Sequence, residues 1–343
     1  MNVLLIFGGK STEYEVSCAS AASVLENIKG HNVIKCGVTK NGEWYITNAD
    51  SETIKNCKWP EENNIPLSID LEKKAFMCKG EKLVVDTAFP LIHGRNGEDG
   101  RLQGLLEMLE IPYVGAGVLG SAVCMDKITA NRLFDHAGIP HTEWFHVLKH
   151  EYETSPEAII EKADKFDGYP LFIKPSNAGS SVGISKCKDR SELKKAFDIA
   201  FENDTRVLVE KGVDAVAEIE ISILGNDEPI ASVTGKILPA NDFYDYEAKY
   251  VSEGSLLYIP SGIDEKTEAY IRKTAIEAYK VCDCKGLSRI DFLMTADGKV
   301  YLNEINTLPG FTKISMYPKN FVASGIEYSE LIDRLLGLSL EGK

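Results

Sequence analysis

The chain has no excess of positive charge. Among its 343 residues, 38 Lys and Arg face 52 Asp and Glu, a formal net charge of −14, which argues against a general binder of nucleic acid or of anionic membranes. No hydrophobic run approaches the roughly 20 residues of a membrane span. The first, Val3 to Phe7, ends in Gly8-Gly9 and lacks the basic flank of a signal peptide. The eight cysteines, at 18, 36, 57, 78, 124, 187, 282 and 284, include no C-x-x-C pair. Reduced, mostly buried thiols in a cytoplasmic protein are therefore expected, not a disulfide or metal framework. Two nucleotide fingerprints are also missing, the G-x-x-x-x-G-K-[ST] loop and G-x-G-x-x-G. Any bound anion must be held by a few placed cations and backbone N–H groups.

What is present is ordinary globular material, 44% hydrophobic and 26% charged, in a chain long enough for two or three domains. VLLIF (3–7) reads as a buried strand, and Val16, Ala19, Ala22 or Ser23, and Ile28 then recur at helical spacing. With HNVIKCGV and VVDTAFPLI as further strands, the alternation predicts an α/β first domain on an open parallel sheet, with ligands at the carboxyl ends of its strands. Beyond residue 116 helices are expected over 126–137, 155–166, 190–202 and 264–281. Strands are expected at LFIKP and RVLVEK, then at EIEISILG, PIASVTGKI, LSRIDFLM and KVYLNEIN.

The last two of these carry the sharpest chemical signal. Asp297-Gly298 lies between two alternating apolar runs, a strong hairpin signature. A two-residue turn there pairs residues whose numbers sum to 595, setting Asp291 opposite Glu304 and Arg289 opposite Asn306. Those four share one face, and Ile290, Phe292 and Met294 line the other. Carboxylates directly opposite each other repel. A divalent cation between them, with Asn306 as a third oxygen ligand, relieves the repulsion, and few oxygen ligands suit magnesium completed by water and phosphate. The other reading is a solvated polar face balanced by Arg289.

KPSNAGSSVGI (174–184) follows a strand and puts a lysine before small residues. By itself it reads equally as a turn or as a phosphate-covering loop; beside a magnesium-type hairpin it points to a nucleoside triphosphate. Glu13, in GGKSTEYEVS, and Glu98-Asp99, in HGRNGEDGRLQG, fit helix-start acids as well as a site. FYDYEAKY (243–250) sits in a long aromatic loop of the kind that forms lids.

In order along the chain, GGKSTEYEVS, HGRNGEDG, MDK (125–127), KPSNAGSSVGI, FYDYEAKY, SRIDF and NEINTLPGFTKISMYP resemble the D-alanine–D-alanine ligases of the ATP-grasp superfamily. The resemblance spans nearly the whole sequence. It implies a three-domain ATP-grasp architecture: an N-terminal α/β substrate domain (1–115) and two α+β subdomains, central (116–212) and C-terminal (213–343), the latter with a lid over 242–258. It implies ATP-dependent joining of two D-alanines through a D-alanyl phosphate for peptidoglycan synthesis, by a cytoplasmic homodimer needing two magnesium ions, with manganese a possible substitute. Lys127, Lys174 and Lys249 then hold phosphates, with Ser181 in the covering loop. Glu210 and Val213 line the adenine site, and Glu218 holds the ribose. Asp291, Glu304 and Asn306 match the metal ligands. Arg289 and the Gly310 backbone match the oxyanion stabilisers. Glu13 grips the first ammonium, with His93 beside that subsite, and Glu13, Ser180 and Tyr250 match a hydrogen-bonded chain between domains. Ser315 and Met316 border the second amino-acid site, where relatives using D-serine or D-lactate carry arginine in place of Met316. One departure is Ala217, where the family pattern has arginine before EIE. The alternatives are a D-alanyl-D-serine or D-alanyl-D-lactate ligase, another carboxylate–amine ligase of the superfamily, and a non-catalytic nucleotide sensor, against which the intact Arg289 set weighs.

Overall fold

The computed structural model of the protein describes residues 1–179, 181–238 and 256–341. Three sheets order the chain. The first holds β1 (Asn2–Gly8), β2 (Asn32–Val38), β3 (Trp44–Ile46), β4 (Ile65–Asp70), β5 (Ala75–Cys78), β6 (Glu81–Lys82) and β7 (Thr87–Pro90), in the order β6-β5-β4-β3-β2-β1-β7. Only β1 with β2 and β1 with β7 pair in parallel. The expected open parallel sheet is therefore a mixed one. Its antiparallel wing is built from short strands joined by tight turns, such as Lys79-Gly80 between β5 and β6, both residues with positive φ. Turns of that kind join antiparallel neighbours directly, whereas a parallel crossover needs a dozen residues or more.

The second sheet contains β8 (Trp144–Leu148), β9 (Leu171–Pro175), β10 (Ser185–Cys187) and β11 (Arg206–Lys211), in the order β10-β9-β11-β8. In the third, β12 (Ala215–Leu224), β13 (Ile230–Leu238), β14 (Leu256–Tyr258), β15 (Leu287–Thr295) and β16 (Val300–Asn306) run in the order β14-β13-β12-β15-β16. Every named pairing in these two sheets is antiparallel. Part of the expected lid, Leu256–Tyr258, is thus an edge strand paired to β13.

The β15–β16 hairpin differs in detail from its sequence reading. Thr295 N–H donates to the Lys299 carbonyl, so the loop has three residues, closed by Gly298 at φ 81. Near the turn Phe292 faces Leu302 and Met294 faces Val300, one step off the expected register. A bulge at Asn303 then restores it, and Asp291 faces Glu304 and Arg289 faces Asn306 as expected. Two single-residue offsets cancel. The bulge also changes the phase of β16, so that Leu302 and Ile305 both enter the core while Glu304 and Asn306 share the opposite face.

Cores do not follow linear order. The helix Lys127–Ala137, expected to lie in the central unit, and the unexpected helix Val118–Met125 before it contribute Ala130, Phe134 and Cys124 to the core under β12 and β15. Likewise Leu331, Ile332 and Leu335 of the helix Tyr328–Leu338 belong to the same buried cluster as Val3, Leu5 and Phe7 of β1. All eight cysteines are free thiols, six of them buried. Among the described residues no helix is long and apolar enough to cross a membrane.

Gly120 shows how tightly the first of these cores, under β12 and β15, is built. A Cβ there would lie 2.5 Å from the Asp283 carbonyl oxygen, a backbone atom with no rotamer to change. Gly120→Ala is expected to cost about 1–3 kcal/mol, read as a lower denaturant midpoint with an unchanged slope.

Candidate active site

Two cavities meet between the three sheets. The larger, about 690 Å³, lies between the second and third sheets and is bordered by Lys174, Ser181, Glu210, Val213 and Glu218. The smaller, about 70 Å³, is bordered by Glu13, Glu98, Gly179, Arg289 and Asn306. Lys127 and Glu304 line both.

Lys174 and Glu210 lie diagonally on the adjacent strands β9 and β11, where Lys174 faces Leu208 and Glu210 faces Phe172, and form an ion pair. Thr142 donates its hydroxyl to the same Glu210 carboxylate at 2.7 Å. Lys127 stands at the first turn of its helix, whose N-cap Asp126 accepts from Thr129 N–H at 2.9 Å. Its ammonium donates to the Ala178 carbonyl at 2.8 Å. Burial pushes its pKa down, Glu304 opposes that, and the neighbouring Lys174 adds to the fall. Paired lysines at the mouth of a cavity lined by backbone and carboxylates suit a polyphosphate.

The stretch 176–184 is the connection between antiparallel β9 and β10. It is tethered at its start: Ser176 donates its hydroxyl to Asp126 at 2.9 Å, and Asn177 N–H donates to Asp204 at 2.7 Å. Further on it turns sharply, with Ser181 and Gly183 at positive φ. Ala178 and Gly179 border the smaller cavity and Ser181 the larger, so the loop spans the junction. Ser180, Lys249, Tyr250 and FYDYEAKY lie outside the described residues.

Across the third sheet the carboxylates stand in one rung, Glu220 on β12 opposite Asp291 on β15 opposite Glu304 on β16. Arg289 donates through Nε and a terminal nitrogen to the two oxygens of Asp291, both at 2.7 Å. Its Nε lies 3.0 Å from Glu220. The balancing role of Arg289 and the oxygen-rich face thus coexist. Asn306 Oδ1 accepts from Leu308 N–H at 3.1 Å, which fixes the amide oxygen as an acceptor. Two carboxylates and an amide oxygen at the junction of two cavities fit a hard cation. Among the described residues no cluster of three or more His, Cys, Asp or Glu could hold a metal alone, so water or phosphate oxygens must complete its coordination.

Glu13 is the N-cap of the helix Tyr14–Asn27 but makes no side-chain cap bond. Its carboxylate lies instead near Gly179 and against Gly94, where a Cβ would come within 2.4 Å of the Glu13 oxygen. Glu98, read from sequence as a helix-start acid, accepts from Gly94 N–H at 2.7 Å and borders the small cavity. His93 is not at a cavity wall. Its Nδ1 donates to the Leu308 carbonyl at 2.9 Å, and its Nε2 lies 3.0 Å from Ser20 Oγ, which accepts from Phe311 N–H. Burial lowers its pKa, but Glu98, Glu13 and the Leu308 carbonyl outweigh that and hold it above the ordinary imidazole value. His93 therefore clamps both sides of the buried Gly310.

Ser315 and Met316 are not brought to either cavity. Ser315 stands at the N-cap position of its helix without a side-chain cap bond, its hydroxyl 2.8 Å from that of Thr312 and accepting from Thr312 N–H. Met316 is turned inward, its methyl filling space over Gly235 that the missing Cβ leaves open. Ala217 sits in the apolar core with Ile219 and Ile221 and also borders the larger cavity. The residue that sequence reading missed is Glu220; Glu218 and Glu220 alternate with Ile219 and Ile221, which already puts both acids on one face.

Two antiparallel sheets closing on a cavity lined by lysines and carboxylates define the ATP-grasp architecture. The chain matches the D-ala D-ala ligase N-terminus family over residues 2–116 and the D-ala D-ala ligase C-terminus family over 133–337. It is 44% identical to a D-alanine–D-alanine ligase of Acetivibrio thermocellus, covering 99% of this chain and 96% of that protein. It is 46% identical to one of Thermoanaerobacter sp., with 99% and 96% covered. Its fold superposes on the VanG D-Ala:D-Ser ligase of Enterococcus faecalis with a TM-score of 0.90, at 39% identity over 99% of both chains. The D-alanine–D-alanine ligase of Coxiella burnetii gives 0.85, at 33% identity over 99% and 95%. The chain belongs to the D-alanine–D-alanine ligase family.

The clamp on Gly310 is open to test. In His93→Ala the amides of Gly310 and Phe311 are expected to exchange with solvent about tenfold or more faster, since losing one buried hydrogen bond costs about 1–3 kcal/mol. Exchange by mass spectrometry at unchanged global stability reads this directly.

Proposed function

We propose that the protein joins two D-alanines to D-alanyl-D-alanine at the cost of ATP, supplying the dipeptide for peptidoglycan. The observation that carries this is the pair Lys127 and Glu304, shared by a nucleotide-sized cavity and a small acid-lined one. A phosphoryl group leaving the first cavity and a carboxylate seated in the second meet between them. In this reading Val213 and Glu210 border the base, Glu218 takes the ribose, and Lys127 and Lys174 hold phosphates beneath the loop that carries Ser180 and Ser181, with Lys249 reaching in from the lid. Glu13 holds the ammonium of the first D-alanine, whose carboxylate takes the γ-phosphoryl group. Two magnesium ions, or manganese in their place, are held by Asp291, Glu304 and Asn306; when bound they draw charge from the phosphate oxygens. The amine of the second D-alanine then attacks the acyl carbon. Arg289 and the Gly310 N–H stabilise the oxyanion that forms, and phosphate departs. Glu13, Ser180 and Tyr250 form the chain between domains.

The enzyme acts on D-alanine and ATP as a cytoplasmic homodimer, a reading supported by the family alone. For the second substrate D-alanine is supported by the curated relatives and by Met316, whose thioether offers no hydrogen bond to a serine hydroxyl. A conformational step must bring Ser315 and Met316 to that subsite. The likeness to a D-Ala:D-Ser ligase keeps D-serine as the second reading.

Two measurements bear on this. Glu304→Gln is expected to lose phosphate release by at least about a hundredfold, a loss of roughly 3 kcal/mol of transition-state stabilisation, while remaining folded; near-normal turnover at saturating ATP and magnesium defeats the metal assignment. With equal D-alanine, D-serine and D-lactate, D-alanyl-D-alanine is expected to dominate by up to about a hundredfold, the limit for an apolar pocket rejecting an added hydroxyl. D-alanyl-D-serine as the main product by mass spectrometry favours the second reading, and a depsipeptide as the main product defeats both.

A further inference from the structure

Glu220 has no part in the chemistry described so far, yet it is among the most enclosed charges in the molecule, 2% exposed. It lies directly opposite Asp291 in the sheet and 3.0 Å from the Arg289 Nε. Arg289 is therefore shared by two carboxylates, one on each side of the β12–β15 pairing. The side chains of Glu220, Arg289 and Asp291 are 3%, 11% and 4% exposed, so water does little to screen them.

This sharing has a mechanical sense. As the structure stands, both Asp291 oxygens are occupied by Arg289. A cation bound by Asp291 must share those two oxygens with the guanidinium, each with a lone pair left, and its charge repels that of Arg289. If Asp291 were its sole anchor, Arg289 would either block the cation or be released when the cation arrives. Release would lose the oxyanion contact, because a guanidinium on a long side chain is precise only when its partners fix it. We infer that Glu220 is a positioning residue, the second anchor that retains Arg289 at the reacting centre while Asp291 turns its oxygens to the metal. This deepens, and rests on, the reading of Asp291 and Glu304 as metal ligands. The residue type suits the role: a carboxylate takes over a guanidinium with charge-assisted hydrogen bonds, which a neutral side chain does weakly.

The test is manganese binding to the full chain with ADP present, followed by electron paramagnetic resonance, beside steady-state kinetics. In Glu220→Gln, Arg289 has Asp291 alone as its anionic anchor of the two, and manganese affinity is expected to fall about ten- to a hundredfold, the range for residues that orient metal ligands. In the same variant kcat should drop at saturating metal, while KM for the first D-alanine changes less than threefold. Glu98→Gln removes a charge from the same cavity without touching Arg289, and should weaken manganese binding less than threefold. Glu220→Asp, which keeps the charge, should recover most of the affinity, and it supplies the measurement against wild type if Glu220→Gln does not fold: an affinity within tenfold of wild type supports the role, and any larger loss overturns it. Unchanged manganese affinity in Glu220→Gln, or an equal loss in Glu98→Gln, overturns the inference. Failure of the wild-type protein to bind manganese would instead defeat the metal reading beneath it.

Discussion

Carboxylates set side by side on neighbouring strands repel, and the centre of this protein is arranged around one such repulsion. Glu220, Asp291 and Glu304 occupy a single rung of the third sheet. Arg289 offsets it on one side and the Lys127 ammonium, coupled to Glu304, on the other. A buried row of like charges is tolerable only with such neighbours. It also makes the rung a place where added positive charge is welcome, which is what a site for a divalent cation needs. The two cavities, the loop at 176–184 and the helix that presents Lys127 all converge there.

Much of this was legible in the sequence, because the strands that carry it are long and alternate cleanly. The pairing of Asp291 with Glu304 follows from a turn signal and the period of a strand. Even so, it came out right although the turn was one residue longer than expected. The bulge at Asn303 compensates, and nothing in YLNEIN marks an extra residue before the fold is known. Glu220 was visible as an alternating acid, but its meaning depends on β12 lying beside β15, a long-range pairing that one strand's pattern does not announce. The antiparallel wing of the first sheet was missed for another reason. Strands such as Trp44–Ile46 and Glu81–Lys82 are too short for a period to show.

His93 and Met316 show where motif order helps and where it stops. Both lie in stretches that the family resemblance places at substrate subsites. The geometry gives His93 a task at one remove, holding Leu308 and, through Ser20, Phe311, so that the peptide between them is fixed from the segment after β7. Tyr328 completes the grip by donating to the Phe311 carbonyl. Met316 is engaged with Gly235 and the helix it opens. A glycine in β13 is thus what lets that helix approach the sheet so closely.

The core shared by β1 and the helix Tyr328–Leu338 bears on how the chain is made. Ribosomes deliver the first sheet early and that helix near the end. Until Leu331, Ile332 and Leu335 emerge, Val3, Leu5 and Phe7 lack part of the surface that buries them. At about 5–20 residues per second the gap is on the order of tens of seconds. For that interval the first unit translated carries an unfinished apolar face. The strand that opens the chain is thus completed by the helix that nearly ends it.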